Sequence, residues 1–272
     1  LERVHTVIES LLAQDFPLHA YEVRLYISKE SYLLDEGCPR LTEELEQLKL
    51  ANQDRFSVVY VENTGPYRKI LPVLTEVYDY EYSLFSRTLI VTTDDDTIYP
   101  PNLLRKLYSC YLKYNCVVGF RGRVAVFNED RLETYGNWTK EVNVNPSVMN
   151  VPTGKDGVLY SPFHFHPSVL EIKNAQFYAS KADDLWLKIH TLLLGVPCFI
   201  CNKTLSDEFP SVGNINSEVS LYESFNRDGG NDRALRSLDD YLAREFEFNT
   251  HELLKKSGAD VVTQSVKSNL FI

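Results

Sequence analysis

The 272 residues suffice for one large α/β domain, or for a core domain with a smaller appendage. The formal net charge is -10 and no Lys/Arg run occurs, which argues against nucleic acid as a partner and makes an anionic membrane surface unfavourable. No stretch has the length of a transmembrane helix, the amino end carries no signal segment, and the five cysteines are an odd, scattered set. We therefore expect a cytoplasmic protein with reduced thiols.

Apolar spacing predicts that helices and strands alternate through the first part of the chain. The predicted order is helix 4–12, strand 21–27, helix 41–50, strand 56–61, helix 69–77, strand 88–91 and helix 101–114. Strands and helices that take turns in this way indicate an α/β fold with a mostly parallel, Rossmann-type sheet flanked by helices. Ligands of such sheets bind beyond the carboxyl ends of the strands.

Beyond residue 114 the pattern changes to shorter strands and irregular segments. We predict strands at 116–120 and 124–127, a loop-rich stretch at 138–156, helices at 185–194, 234–246 and 251–256, and a strand-like run at 198–201. Cys198 and Cys201 have the spacing of a redox motif, but the apolar run around them favours a core strand. The expected organisation is an α/β domain at 1–220 with a helical extension at 221–272 packed on it.

Three consecutive carboxylates, Asp94, Asp95 and Asp96, follow the strand predicted at 88–91. Clustered carboxylates suit a hard cation such as Mg²⁺ or Mn²⁺, which in turn holds a phosphate group. The alternative is that these acids cap the helix that follows and complement its dipole. Their place at the carboxyl end of a predicted strand favours a metal-diphosphate site.

Four motifs occur in order between about residues 60 and 190. They are TGPYRKILP at 64–72, DDDTIYPP at 94–101, PTGKDGVLY at 152–160 and ADDLWLK at 182–188. Together they resemble those of bacterial glycosyltransferases of the GT-A fold. The resemblance implies an enzyme of surface-polysaccharide or O-antigen synthesis that uses Mn²⁺ or Mg²⁺. Such an enzyme moves a sugar from a nucleotide-diphosphate donor to a hydroxyl of a glycan or lipid-linked glycan. A lipid-linked acceptor is compatible with peripheral association of the enzyme at the inner face of the membrane.

The resemblance also assigns roles to the acidic residues. Asp94 would face the nucleotide and share the metal with Asp96, and Asp95 would support the donor site beside them. Asp183 and Asp184 match an acidic pair whose second member is the general base of an inverting transfer. We therefore assign Asp184 as the base and Asp183 as an acceptor-positioning group, with helix capping as the alternative role for this pair.

Three further residues are candidates for binding the donor. Lys69 lies in a turn before a predicted helix, where a cation can reach a phosphate; a solvated surface lysine is the alternative. Gly154 and Gly157 flank a turn whose backbone can approach the donor sugar closely, and an ordinary turn is the alternative.

Some conspicuous side chains favour structural roles. His164 and His166 alternate as residues on one strand face do, but structural roles outweigh metal ligation for them. Trp138, Tyr160 and Trp186 could stack on a sugar, although aromatic residues at such spacing more often belong to the core.

One feature departs from the family. The GT-A fold ordinarily opens with a strand that binds the nucleotide base, whereas this sequence opens with a helical pattern. We expect either that a preceding segment is missing from this sequence or that the nucleotide pocket is built differently. Two alternatives stay open: a retaining transferase of exostosin-like type, and a non-catalytic carbohydrate- or nucleotide-binding module.

Overall fold

A computed structural model describes residues 3–129, 131–140, 145–202, 209–212 and 229–260. The helices are α1 (Val4–Leu12), α2 (Glu43–Ala51), α3 (Leu71–Tyr78), α4 (Tyr82–Phe85), α5 (Leu103–Tyr114), α6 (Ile172–Ala179), α7 (Asp183–Leu192), α8 (Gly230–Phe246) and α9 (Thr250–Asp260). The strands are β1 (Val23–Ile27), β2 (Phe56–Tyr60), β3 (Ile90–Thr92), β4 (Val117–Gly119), β5 (Gly122–Val124), β6 (Phe127–Asn128), β7 (Arg131–Leu132), β8 (Asn150–Pro152), β9 (Val158–Tyr160) and β10 (Cys198–Ile200).

This element order confirms the mixed α/β class and the alternation predicted up to residue 114. Local chemistry explains several boundaries: the Thr42 side chain caps α2 by accepting from the Leu45 N–H, and α5 ends where Asn115 turns into the left-handed region at φ 46°. Cys198 lies in a core strand, as predicted. The stretch predicted to be loop-rich at 138–156 contains the three-residue strand β8, which pairs with β5; residues 141–144 lie outside the described part.

The main sheet differs from the mostly parallel one that the sequence predicts. Its strand order is β10-β4-β9-β3; β10 and β4 are parallel, but β9 runs antiparallel to both β4 and β3. The reason lies in the connection: between β4 and β9 the described chain forms short strands, turns and loops instead of the α-helix of a βαβ unit. A strand that returns without a crossover helix can pair antiparallel.

The first two strands form a pair of their own. β1 and β2 are parallel, and in the described part of the chain no hydrogen-bonded ladder joins them to the four-stranded sheet. Two small antiparallel pairs, β5-β8 and β6-β7, complete the pairings. The α/β character is therefore established, whereas a continuous Rossmann-type sheet is not seen in the described residues.

Apolar side chains fill both faces of the main sheet. Val117 and Tyr160 belong to a core shared with α3, α6 and α7, while their neighbours Val118 and Leu159 belong to a second core shared with α1 and α5. Alternate residues of a strand point to opposite faces, so both faces are covered by helices, as predicted. Each fully buried Leu in these cores stabilises the fold by roughly 2 kcal/mol.

The carboxyl-terminal helices are part of the first core. Leu238, Tyr241 and Leu242 of α8 are completely buried, and the Tyr241 ring lies 5.0 Å from that of Trp186 in α7. The described part of the predicted extension therefore packs on the α/β unit; residues 213–228, which include its predicted start, lie outside the description. None of the helices in the described ranges is both long and apolar enough to cross a membrane.

Candidate functional site

The register of β3 and β9 brings two of the sequence motifs together. Thr92, the last residue of β3, pairs with Val158, the first residue of β9. Because these strands are antiparallel, the chain that leaves β3 toward Asp94 runs beside the chain that enters β9 from Gly154. The acidic loop, which carries Asp94, Asp95 and Asp96, and the glycine turn, which carries Gly154 and Gly157, therefore meet at one edge of the sheet.

Lys69 reaches the same edge from the turn Gly65–Lys69 that precedes α3. The turn is anchored by Tyr67, which is fully buried and donates its hydroxyl to the Ala179 carbonyl at 2.6 Å. The Lys69 ammonium lies 2.7 Å from Asp94 Oδ1 and 3.1 Å from Asp183 Oδ2. Lys69 is thus an ion-pair centre that joins the acidic loop to the start of α7, and the surface-lysine alternative does not hold.

Asp184 enters the cluster from the first turn of α7. Its Oδ2 accepts a hydrogen bond from the Gly154 N–H at 3.2 Å. Trp186 anchors the start of this helix, since it is fully buried and donates its Nε1–H to the Val169 carbonyl at 3.0 Å. The helix cap position is Ala182, so Asp184 uses its carboxylate on a distant backbone group instead of capping its own helix.

Gly154 is the centre around which these charges are packed. A Cβ at this position would lie 2.7 Å from Lys69 Nζ, 3.3 Å from Asp184 Oδ1 and 3.4 Å from Asp94 Oδ1. The first distance is too short for a real Cβ, so the absence of a side chain leaves the space that the ammonium occupies. In this structure the close approach at Gly154 is therefore to Lys69 of the same chain.

Gly157 has a different role. Its φ of 96° favours glycine, and its Cα faces Leu103 of α5, with a Cβ placed 3.4 Å from that side chain. The structure places Gly157 as a turn residue against the core, which is the alternative that the sequence left open, and not beside the carboxylates.

The carboxylates of α7 have raised pKa values. Burial, followed by the neighbouring Asp183 charge, raises the pKa of Asp184 from its usual 3.8 to about 7, against the opposing effect of Lys69. Burial also raises the pKa of Asp183 despite the Lys69 ammonium. For Lys69, burial alone would lower the pKa, but the charges of Asp183, Asp94 and Asp184 outweigh it and raise that pKa well above its usual range. Lys69 therefore stays charged while Asp184 can exchange a proton near neutral pH.

Tyr99 completes the support of the acidic loop, and sequence reasoning does not single it out. It is buried, and its hydroxyl accepts from the Asp94 N–H at 2.8 Å and donates to the Lys155 carbonyl at 2.7 Å. It thereby ties the loop after β3 to the glycine turn before β9. In the sequence Tyr99 stands directly before two prolines, and the apolar pattern identifies this segment only as the residues that precede a helix.

Asp95 and Asp96 lie at the exposed side of the loop. Asp96 Oδ1 accepts from the Thr97 hydroxyl at 3.1 Å, and the Asp96 carbonyl accepts from the Val212 N–H at 2.7 Å, which fixes the backbone of the loop. Within the described ranges, no three His, Cys, Asp or Glu side chains are arranged to hold a metal ion by themselves. Mg²⁺ is often held by one or two carboxylates together with substrate phosphates, and the exposed Asp96 offers one such carboxylate.

The remaining candidates have structural positions. Trp138, Tyr160 and Trp186 are at most 3% exposed and belong to the core, so they do not form a sugar-stacking wall. His164 Nδ1 accepts from the Ser161 N–H at 3.1 Å and burial lowers the pKa of His164 to about 4, while His166 Nδ1 bonds the Ser168 hydroxyl at 2.8 Å.

A cavity of about 580 Å³ opens at the β6–β7 hairpin, but it shares no lining residue with the charged cluster. Its walls are formed by residues 128, 129 and 131–134. The chemistry that the sequence singles out is therefore concentrated at the β3–β9 edge and not in this cavity.

No protein-family model and no curated protein sequence matches the chain. The assignment of the site therefore depends on the geometry of Lys69, Asp94, Gly154, Asp183 and Asp184.

Proposed function

We propose that this chain is a glycosyltransferase of GT-A type that moves a sugar from a nucleotide-diphosphate donor to a hydroxyl of a glycan or lipid-linked glycan. The observation that carries the proposal is the convergence of four separate chain segments on one cluster, with Lys69 between Asp94 and Asp183 and with Asp184 held by the Gly154 N–H. The motifs that resemble the family are far apart in sequence, and a chance resemblance gives no reason for them to meet.

The carboxylates of the cluster suit the two substrates. Asp94 and the exposed Asp96 offer oxygen ligands at the end of β3, where Mn²⁺ or Mg²⁺ shared with a diphosphate would neutralise the charge of the leaving group. Asp184 also lies beside Gly154, where a Cβ would be 3.3 Å from its Oδ1, and it is partly exposed. A carboxyl group with a pKa of about 7 is suited to accept a proton near neutral pH.

In the proposed reaction Asp184 takes the proton of the acceptor hydroxyl. The acceptor oxygen then forms a bond to the anomeric carbon as the bond from that carbon to the diphosphate oxygen breaks, which inverts the anomeric configuration. Asp183 contributes by holding Lys69. The Gly154 N–H orients the carboxylate of Asp184 by its hydrogen bond.

A donor screen followed by two substitutions tests this function. Nucleotide-sugars are screened with Mn²⁺ by thermal shift, since a ligand that binds only the folded state raises its apparent stability. With the donor that responds, Asp96→Ala is expected to abolish transfer and the Mn²⁺-dependent part of nucleotide binding. Asp184→Asn is expected to lower turnover by on the order of 10² or more while donor affinity stays unchanged.

The outcomes separate the alternatives. Retention of configuration in the product would point to the exostosin-like, retaining type. If the donor binds in the presence of Mn²⁺ but is neither transferred nor slowly hydrolysed, the result would point to a binding module. Normal turnover in Asp184→Asn with a loss in Asp183→Asn would move the base to Asp183.

A further inference from the structure

The Lys69 ammonium lies between two of the carboxylates of the cluster. Its nitrogen lies 2.7 Å from Asp94 Oδ1 and 3.1 Å from Asp183 Oδ2, and these two acids come from different elements, the loop after β3 and the start of α7. Asp183 is 8% exposed, and its Oδ2 has no hydrogen-bond donor among the described residues apart from this ion pair. The ammonium is therefore the resident cation of the cluster.

This arrangement opposes metal binding in the free protein. A divalent ion that takes Asp94 as a ligand must displace the ammonium from Oδ1, or sit near it and be repelled by its charge. The space beside Gly154 is filled by the same ammonium, because its nitrogen lies 2.7 Å from where a Cβ would be. Asp94 Oδ1 becomes free for the ion only after Lys69 finds another anion.

We propose that Lys69 acts as an internal counter-cation that keeps Asp94 closed to divalent metal until a diphosphate arrives, so that metal and diphosphate bind as a pair. The diphosphate draws the Lys69 ammonium from Asp94, and Asp94 becomes free to share the ion. The inference rests on the proposed function only in taking the ligand to be a diphosphate. It assigns Lys69 a gating role beyond the phosphate contact that its place in the sequence suggests.

Equilibrium dialysis with Mn²⁺ alone, and with inorganic pyrophosphate in the presence and absence of Mn²⁺, tests the proposal without any enzyme assay. The wild type is expected to bind Mn²⁺ alone at least tenfold more weakly than Lys69→Met does, because the variant lacks the competing positive charge. Lys69→Gln repeats the test with a polar side chain of similar length. Wild type is expected to bind Mn²⁺ at least tenfold more tightly when pyrophosphate is present.

Arg68→Met is the matched control. Arg68 precedes Lys69 and also forms an ion pair, with its guanidinium 2.6 Å from Asp35 Oδ2. Within the described part of the chain, no ion pair joins Arg68 to Asp94, Asp95 or Asp96. Its loss is expected to leave Mn²⁺ affinity unchanged. An equal rise in Arg68→Met and Lys69→Met would show a general charge effect and overturn the specific role of Lys69.

Two results would separate this inference from the function it deepens. Equal affinity of the wild type and both Lys69 variants for Mn²⁺ alone overturns the gating role and leaves the glycosyltransferase proposal standing. A wild type that retains no pyrophosphate even with Mn²⁺ refutes the diphosphate site itself. If neither Lys69 variant folds, the wild type still decides: Mn²⁺ bound as tightly without pyrophosphate as with it overturns the inference.

Discussion

The raised pKa of Asp184 predicts that this residue destabilises the folded protein as pH increases. The folded-state value is about 7 and the usual value is 3.8, so between these two pH values the folded chain keeps a proton that the unfolded chain releases. A raised carboxyl pKa gives stability that is present at low pH and lost as pH rises through the folded value. From pH 5 to pH 8 the loss amounts to about 2 kcal/mol, allowing for the partial exposure of the side chain.

Asp184→Asn removes this titration and keeps the shape of the side chain. We expect the free energy of unfolding of the variant, relative to wild type, to improve by about 2 kcal/mol between pH 5 and pH 8. Urea unfolding followed by tryptophan fluorescence measures it, because Trp138 and Trp186 are both buried. Asp54→Asn, at an exposed position between α2 and β2, is the control for the same substitution away from the site. A difference for Asp184→Asn that does not change with pH would refute the assignment of a raised pKa to this carboxyl.

Three further substitutions test the packing around the site. Burial lowers the pKa of Lys188 to about 8, and its Nζ has no hydrogen-bond partner in the described part of the chain. The free-energy cost of burying its charge is therefore largest below pH 8. Lys188→Met should stabilise the fold by about 3 kcal/mol at pH 7 and by about 1 kcal/mol at pH 10, measured by urea unfolding at both pH values. Tyr99→Phe should lower the free energy of unfolding by about 1–3 kcal/mol because the Asp94 N–H and the Lys155 carbonyl lose a partner; no change on urea unfolding would contradict that role. Gly154→Ala should destabilise the wild type more than it destabilises Lys69→Met, and additive effects in this double-mutant cycle would argue against the contact with the ammonium.

The sequence predicts the local features of this site and not its assembly. Periodicity shows where β3 ends and α7 begins, so the amino-acid sequence alone places Asp94 and Asp184 at the ends of elements. The antiparallel entry of β9 could not be predicted in this way, because strand direction depends on the connection and on pairing partners far away in the chain. The meeting of Gly154 with Asp94 depends on that direction.

Lys69 shows the same limit at the level of chemistry. A lysine before a helix gives no local signal of its partners, and the two acids that it joins lie in separate elements. The sequence suggests a phosphate ligand, whereas the structure shows an ion-pair centre whose charge is satisfied inside the protein. The turn Gly65–Lys69, anchored by the buried Tyr67, places Lys69 where its ammonium reaches both acids.

The environments of the two adjacent acids of α7 argue for different roles. Asp183 is buried and its Oδ2 faces the Lys69 ammonium, so its charge is already used inside the protein. Asp184 is partly exposed, forms its hydrogen bond to a neutral backbone N–H, and has a pKa raised to about 7. A group that must meet a hydroxyl from outside needs access and an exchangeable proton, and of the two only Asp184 combines them. Under the proposed function, Lys69 and Asp183 would hold the geometry of the cluster and Asp184 would act as the base.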